Sequence, residues 1–149
     1  MEIEKAIHQK KFASDIERSI VNILYTGSWL STLQLSVLKE FGISIQQFNL
    51  MRILKGQHPE PATVNMLAER MIDKNSNASR IVEKLRSKGL VLRTTCPDDR
   101  RRVDIIITET GIELLNQCNK AISKLQGEYD KLEHEEHLEL NRLLNKLRS

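Results

Sequence analysis

The sequence predicts a mainly α-helical domain that carries one small β-hairpin. Only six glycines and three prolines occur among its 149 residues, so few positions interrupt regular structure. Over most of the chain, apolar residues recur every three or four positions, which is the spacing of an amphipathic helix. After Gly89 the spacing shortens to two, as it does in a strand.

The N-terminal forty residues are predicted to form two helices. Apolar residues along positions 3 to 25 indicate a long amphipathic helix, which Gly27 and Ser28 should end. A second helix is expected over positions 29 to 40, and Gly42 occupies the place of a C-terminal glycine. No apolar run approaches the roughly 20 residues that a membrane-spanning helix needs, so we expect no membrane partner.

Polar capping residues mark the starts of the next three helices. Ser44 and Gln47 have the spacing of a capping box, which places a third helix over positions 45 to 55. Thr63 can cap a short fourth helix, and a fifth is expected over positions 76 to 88. One face of the fifth helix is apolar and the opposite face is polar. The apolar face consists of Ala78, Ile81, Val82 and Leu85.

Two short strands are expected next, over positions 90 to 95 and 103 to 107. Both are rich in β-forming residues, and the turn-like segment 96 to 102 between them contains three arginines. This is a β-hairpin with a basic tip. Thr108 can then cap a long helix, and leucines between positions 138 and 147 mark a final one.

Basic residues are concentrated in one window of the chain. Residues 73 to 102 hold nine basic and four acidic residues, a net charge of +5, while the rest of the chain sums to −2. Such a focused basic segment is typical of a site for a polyanion such as nucleic acid. A solvated basic face explains the charge alone equally well.

The order of these elements favours a winged helix-turn-helix, in which two short helices precede a two-stranded hairpin called the wing. A polar helix fits the major groove of DNA, roughly 12 Å wide, where Arg and Asn can bond to base edges. Arginines on the wing suit the minor groove, whose negative potential attracts guanidinium groups.

Three linked stretches carry a resemblance to a known family. They are SNASRIVEKL at positions 76 to 85 followed by Lys88-Gly89-Leu90, PDDRR at positions 97 to 101, and Ile107-Thr108 followed by Gly111. In this order and spacing they resemble the MarR-type winged-helix transcriptional regulators, and the resemblance covers nearly the whole chain. The sequence departs from the family pattern at Met66, where an acidic or polar residue often completes a capping box after Thr63.

The resemblance implies a single domain over residues 1 to 149 that forms a homodimer on double-stranded DNA. Residues 1 to 27 and 109 to 149 would supply the dimerisation helices, and residues 43 to 108 the winged helix-turn-helix. Each subunit would read half of a pseudo-palindromic operator, as a repressor released by a small-molecule effector. The N-terminus lacks the continuous apolar region of a secretion signal, so we expect a cytoplasmic protein.

The resemblance also implies which side chains meet DNA. On the fifth helix, Asn77 and Arg80 are expected at base edges. The expected phosphate contacts of that helix are Ser76, Ser79 and Lys84. On the wing, Arg101 would enter the minor groove with Asp99 orienting a basic side chain. Arg100 and Arg102 are expected to bind DNA as well.

Phe12, Tyr25 and Trp29 are candidates for lining an effector pocket near the first two helices. Core packing is the alternative, and we favour it for Trp29 because an indole buries a large area.

Cys96 and Cys118 could sense oxidants, which would make the protein a thiol-redox-sensing regulator. A lone cysteine on an apolar helix stripe is more often a small packed hydrophobe. His134 and His137 have helical spacing but no convincing third ligand, so we expect no metal site and a solvated helix surface.

A rival function is a protein-interaction module that uses the winged helix as a docking scaffold. The +5 window argues against it, because such a module would present an acidic or apolar face. An enzyme is not expected, since the sequence contains no Gly-rich phosphate loop and no nucleophile with a plausible base. No cofactor is expected either.

Overall fold

A computed structural model describes residues 1–149 and confirms a mainly helical fold with a two-stranded antiparallel hairpin. Its elements, in chain order, are α1 (Ile3–Ala6), α2 (Asp15–Leu38), α3 (Ile45–Gln57), α4 (Val64–Arg70), α5 (Ala78–Ser87), β1 (Val91–Thr95), β2 (Val103–Ile107), α6 (Glu109–Tyr129) and α7 (His134–Leu147). None of these helices has both the length and the apolar character needed to cross a bilayer.

The N-terminal region differs from the prediction. The helix expected over positions 3 to 25 is split into the short α1 and the start of α2, because Ser14 caps a new helix by accepting a bond from the Glu17 amide. The predicted end at Gly27 and Ser28 is also wrong, since α2 continues through both to Leu38. A glycine inside a helix costs only about 1 kcal/mol. That cost does not break a 24-residue helix with apolar residues on both sides of the glycine.

The predicted caps at the next junctions are confirmed. A 3-10 turn, Lys39–Phe41, extends α2, and Gly42 ends it with a φ of 69°, a left-handed conformation that favours glycine. Ser44 and Gln47 form the expected capping box of α3. Thr63 alone caps α4, by accepting a bond from the Met66 amide at 3.2 Å, although Met66 cannot complete a capping box.

One apolar core joins the end of α2, helices α3, α4 and α5, the hairpin and α6 as far as Ile122. Its fully buried side chains are mostly aliphatic, in agreement with the low aromatic content of the chain. They include Leu38, Leu50, Met51, Leu54, Leu67, Met71, Leu85, Val91, Ile105, Leu115 and Cys118. Gln47 is the one buried polar residue, and its capping-box bonds satisfy it.

The hairpin has the predicted strands and a third contact that the sequence did not indicate. β1 and β2 pair antiparallel, with Val91 opposite Ile107 and Thr95 opposite Val103. Ala62, just before α4, forms a bridge to Ile105 through two backbone hydrogen bonds of 2.9 and 2.8 Å. The wing is therefore fixed to the segment that precedes the helix-turn-helix.

A close contact joins the N-terminus of α6 to the start of the hairpin. The Leu90 carbonyl accepts a bond from the Thr108 amide at 3.1 Å, and the Thr108 hydroxyl donates to the Gly89 carbonyl at 2.8 Å. Gly111 lies directly against Leu90, so a β-carbon at position 111 would overlap the Leu90 carbonyl oxygen and approach Ile107 Cγ1 to 2.8 Å. Only glycine fits there without displacement of backbone.

We expect Gly111→Ala to lower the free energy of unfolding by about 1 to 3 kcal/mol, because the added methyl group forces Leu90 away from α6. Denaturant unfolding at a fixed protein concentration measures the change. Gly127→Ala, in the same helix, is the control, since nothing lies within 4 Å of its β-carbon position. That control should raise stability by up to about 1 kcal/mol. Equal stability of the two variants would contradict the close contact.

Candidate nucleic-acid interface

Helix α5 presents its polar face to solvent because its apolar face is anchored in the core. Ala78, Ile81, Val82 and Leu85 are buried as predicted. Asn77 is the N-cap, and its Oδ1 accepts a bond from the Arg80 amide at 3.0 Å. Asn77 was predicted to bond to a base edge. In the structure, Asn77 Oδ1 caps the helix, and the amide NH₂ of the same side chain remains free to donate to a base.

The cations at the exposed face of α5 fall into two kinds. Arg86 forms an ion pair with Glu83 at 2.6 Å, and that guanidinium lowers the pKa of the Glu83 carboxyl. Arg80 and Lys84 are exposed and form no ion pair within the chain. Ser79 is exposed as well, whereas the Ser76 hydroxyl is buried without a hydrogen-bond partner. The face therefore offers two free cations and one exposed hydroxyl to a ligand.

The tip of the wing is a tight turn held by hydrogen bonds. The Cys96 amide donates to the Arg102 carbonyl at 2.9 Å, and the Arg102 amide donates to the Asp99 carbonyl at 3.0 Å. Asp99 Oδ1 accepts from the Arg101 amide at 2.9 Å. Asp99 was expected to orient a basic side chain. It bonds instead to the main chain of Arg101, so it shapes the loop that carries this arginine.

The three wing arginines are not equivalent. Arg102 Nε bonds to Asp104 Oδ1 at 2.8 Å, within the hairpin. Arg100 and Arg101 are exposed and form no ion pair within the chain. Arg93 on β1, which the sequence interpretation missed, is also exposed and forms no ion pair. Its position in the basic window, between Leu90 and the wing tip, could have indicated it.

Comparison with known proteins places this arrangement in a family. Residues 43–103, which include the helix-turn-helix and most of the wing, match the model of the MarR family. The HTH-type transcriptional regulator YhbI of Bacillus subtilis (strain 168) is 31% identical over 112 residues, which cover 74% of this chain and 71% of YhbI. The chain belongs to the MarR family. It is a DNA-binding transcriptional regulator with a winged-helix fold.

Solved structures share the fold at lower identity. The organohalide-sensing regulator RdhR, bound to 2,4-dichlorophenol, superposes with a TM-score of 0.81 at 23% identity, covering 94% of this chain and 85% of RdhR. BpsR of Bordetella bronchiseptica, whose DNA binding is regulated by 6-hydroxynicotinic acid, superposes with a TM-score of 0.74 at 16% identity. That match covers 85% of this chain and 90% of BpsR. At these identities the likeness shows the fold alone.

The three aromatic residues predicted to line an effector pocket do not lie together. Phe12 lines a hollow of about 440 Å³ beside the Glu4–Arg18 ion pair. Trp29 lines a second hollow of about 520 Å³ between α2 and the junction of α6 and α7, and Tyr25 lines neither. The preference for Trp29 as a core residue is wrong, because 41% of it is exposed.

The second hollow combines aromatic, aliphatic and ionisable side chains. Trp29 meets Tyr129 edge to face, with ring centroids 5.1 Å apart. His137 Nε2 lies 2.8 Å from Asp130 Oδ2, so the histidine considered as a metal ligand is hydrogen-bonded to a carboxylate. The Leu132 amide and the His137 ring hold the pKa of Asp130 below its usual range. The remaining lining residues are Thr26, Leu30, Gln126, Lys131, Leu132 and Leu140.

The two cysteines lie in different environments. Cys118 is fully buried in the core cluster, and its burial raises the pKa of its thiol. A raised pKa leaves little of the reactive thiolate at neutral pH. Cys96 is partly exposed at the base of the wing. Cys118 is therefore a packed apolar residue of the core, which is the alternative to oxidant sensing that the sequence favoured.

Proposed function

We propose that this MarR-family protein is a homodimeric repressor. Each subunit reads one half of a pseudo-palindromic operator, and binding of a small aromatic effector releases the protein from the DNA. We infer the DNA contacts from a set of exposed cations that have no carboxylate partners at α5 and the wing. These cations are Arg80, Lys84, Arg93, Arg100 and Arg101. Unpaired cations are free to neutralise phosphates or bond to base edges.

The DNA contacts divide between two grooves. Helix α5 enters the major groove, where Arg80 and the free amide of Asn77 bond to base edges, and Ser79 and Lys84 contact phosphates. Ser76, which was expected to contact a phosphate as well, is left out because its hydroxyl is buried. Arg101 enters the minor groove, with Arg100 beside it. Arg102 contributes less than the sequence suggested, because Asp104 holds its guanidinium.

Exposed apolar side chains on α2 and α7 support the homodimer. Helix α7 has 14 residues and buries none of them in the single chain. An isolated helix of that length is marginal in water, so α7 needs a partner surface. The exposed aliphatic residues of the two helices are Ile16, Ile20, Ile23, Leu24, Leu35, Leu138, Leu140, Leu143 and Leu147. The dimerisation region accordingly includes all of α2, beyond the boundary at residue 27 that the sequence suggested.

The hollow beside Trp29 is the proposed effector site. Its edge-to-face aromatic pair suits a flat aromatic ring, and Lys131 on its rim suits an anionic substituent. RdhR and BpsR, which share the fold, respond to such compounds. The hollow lies between helices assigned to the dimer interface, so a ligand there would change the separation of the two DNA-reading lobes.

Arg101→Ala should weaken operator binding by about 1 to 3 kcal/mol. It should also reduce the slope of log K against log salt concentration by about one. Titration of labelled operator at several salt concentrations measures both quantities. Arg102→Ala is the matched control and should have a smaller effect on the slope, since Asp104 already pairs with that side chain. A normal affinity and slope for Arg101→Ala would rule out the wing contact.

Leu143→Asp should dissociate the dimer, because it places a carboxylate in an apolar interface at a cost of at least about 2 kcal/mol. Sedimentation of the protein at micromolar concentration gives the oligomeric state. Leu92→Asp is the control: Leu92 is exposed to a similar extent, 51% against 48%, but lies on β1. If both variants sediment like the unaltered protein, α7 does not form the interface.

Binding of 2,4-dichlorophenol or 6-hydroxynicotinic acid should quench Trp29, the single tryptophan of the chain, and release operator DNA. Tyr129→Leu should weaken ligand binding by about 0.5 to 1.5 kcal/mol, because it removes the edge-to-face partner. Phe12→Leu, in the other hollow, should leave binding unchanged. Equal losses in both variants, or no quenching, would refute the assignment of the site.

A further inference from the structure

Lys88 lies in the basic window but differs from the other cations there. It is the C-cap residue of α5, directly before Gly89 turns the chain into β1 with a φ of 72°. Its charge counts toward the +5 of residues 73 to 102, which on sequence grounds makes it another candidate for phosphate contact.

The Lys88 ammonium forms hydrogen bonds within the protein. Its Nζ donates to the Gly42 carbonyl at 2.5 Å and lies 3.4 Å from Gln47 Oε1. Lys84, one turn earlier on the same helix, donates no side-chain hydrogen bond and forms no ion pair. Two lysines of one helix therefore have different environments.

The groups that Lys88 contacts belong to the junction between α2 and α3. Gly42 ends the 3-10 turn after α2, where carbonyl groups lack intrahelical partners and the helix dipole attracts a cation. Gln47 Oε1 also accepts from the Ser44 amide at 3.1 Å, which completes the capping box at the start of α3. One ammonium thus bonds to the end of α2 and approaches the start of α3.

We propose that Lys88 is a positioning residue, which fixes the C-terminal end of α5 to the α2–α3 junction and does not contact DNA. Because α2 belongs to the proposed dimer interface, this bond sets the orientation of the DNA-reading helix relative to the partner subunit. Lys88 then contributes to operator affinity through geometry, whereas Lys84 contributes through charge.

The test compares Lys88→Met, Lys88→Arg and Lys84→Met in the full-length protein. Lys88→Met should weaken operator binding about three- to tenfold with an unchanged salt slope, since no phosphate contact is lost. Its binding to DNA of unrelated sequence should remain normal. Lys88→Arg keeps a cationic donor and should restore operator affinity. Lys84→Met should flatten the salt slope by about one unit and weaken binding to all DNA sequences.

Hydrogen–deuterium exchange without DNA supplies a second measurement. The Ile43 amide, which bonds to the Leu38 carbonyl at the α2–α3 junction, should exchange faster in Lys88→Met and at the original rate in Lys88→Arg and Lys84→Met. A salt slope flattened by Lys88→Met as much as by Lys84→Met would overturn the proposal. Unchanged exchange at Ile43 in Lys88→Met would overturn it too.

The affinity measurement for Lys88 rests on the proposed operator binding, whereas the exchange measurement does not. If the unaltered protein bound no operator, the proposed function would fail, while the exchange experiment would still decide whether Lys88 holds the junction.

Discussion

The close contact of Gly111 with the Leu90 carbonyl is the constraint on which the rest of the arrangement depends. It brings the N-terminus of α6 onto the start of the hairpin, and the Thr108 bonds to Gly89 and Leu90 hold it there. Because α5 ends at Ser87 and β1 begins at Val91, this junction fixes α5 and the wing to the long helix α6.

Two further links act in the same way on the other sides of the helix-turn-helix. The Ala62–Ile105 bridge attaches β2 to the segment before α4, and Lys88 attaches the end of α5 to the α2–α3 junction. Lys55 adds a bond from α3 to Asn116 on α6, with Nζ and Oδ1 2.5 Å apart. The free cations lie at α5 and the wing, while the exposed apolar residues lie mainly on α2 and α7. The cationic surface and the apolar surface are therefore separate, and these hydrogen bonds connect the elements that carry them.

Local signals in the sequence predicted much of the fold. The Ser44–Gln47 capping box, the apolar face of α5 and the two strands were predicted because each depends on neighbouring residues. The prediction failed at Gly27 because one glycine costs a long helix only about 1 kcal/mol and does not break α2. It missed the Ala62–Ile105 bridge because those residues lie 43 positions apart in the chain. The cations of the candidate site were found from charge. Which of them are free depends on their partners. Asp104, the partner of Arg102, is only two residues away, whereas the fold alone brings Gly42 close to Lys88.

Selection from a library of random duplex DNA, at several salt concentrations and with sequencing of the retained molecules, shows whether the protein reads an operator as a homodimer. We expect an enriched palindrome whose half-site centres lie about one helical turn apart, bound with an affinity that falls steeply as salt rises. Retention of DNA without an enriched motif, or enrichment of a single asymmetric half-site, would contradict a homodimer that reads an operator. Absence of binding at low salt would instead favour a winged helix used as a protein-docking scaffold.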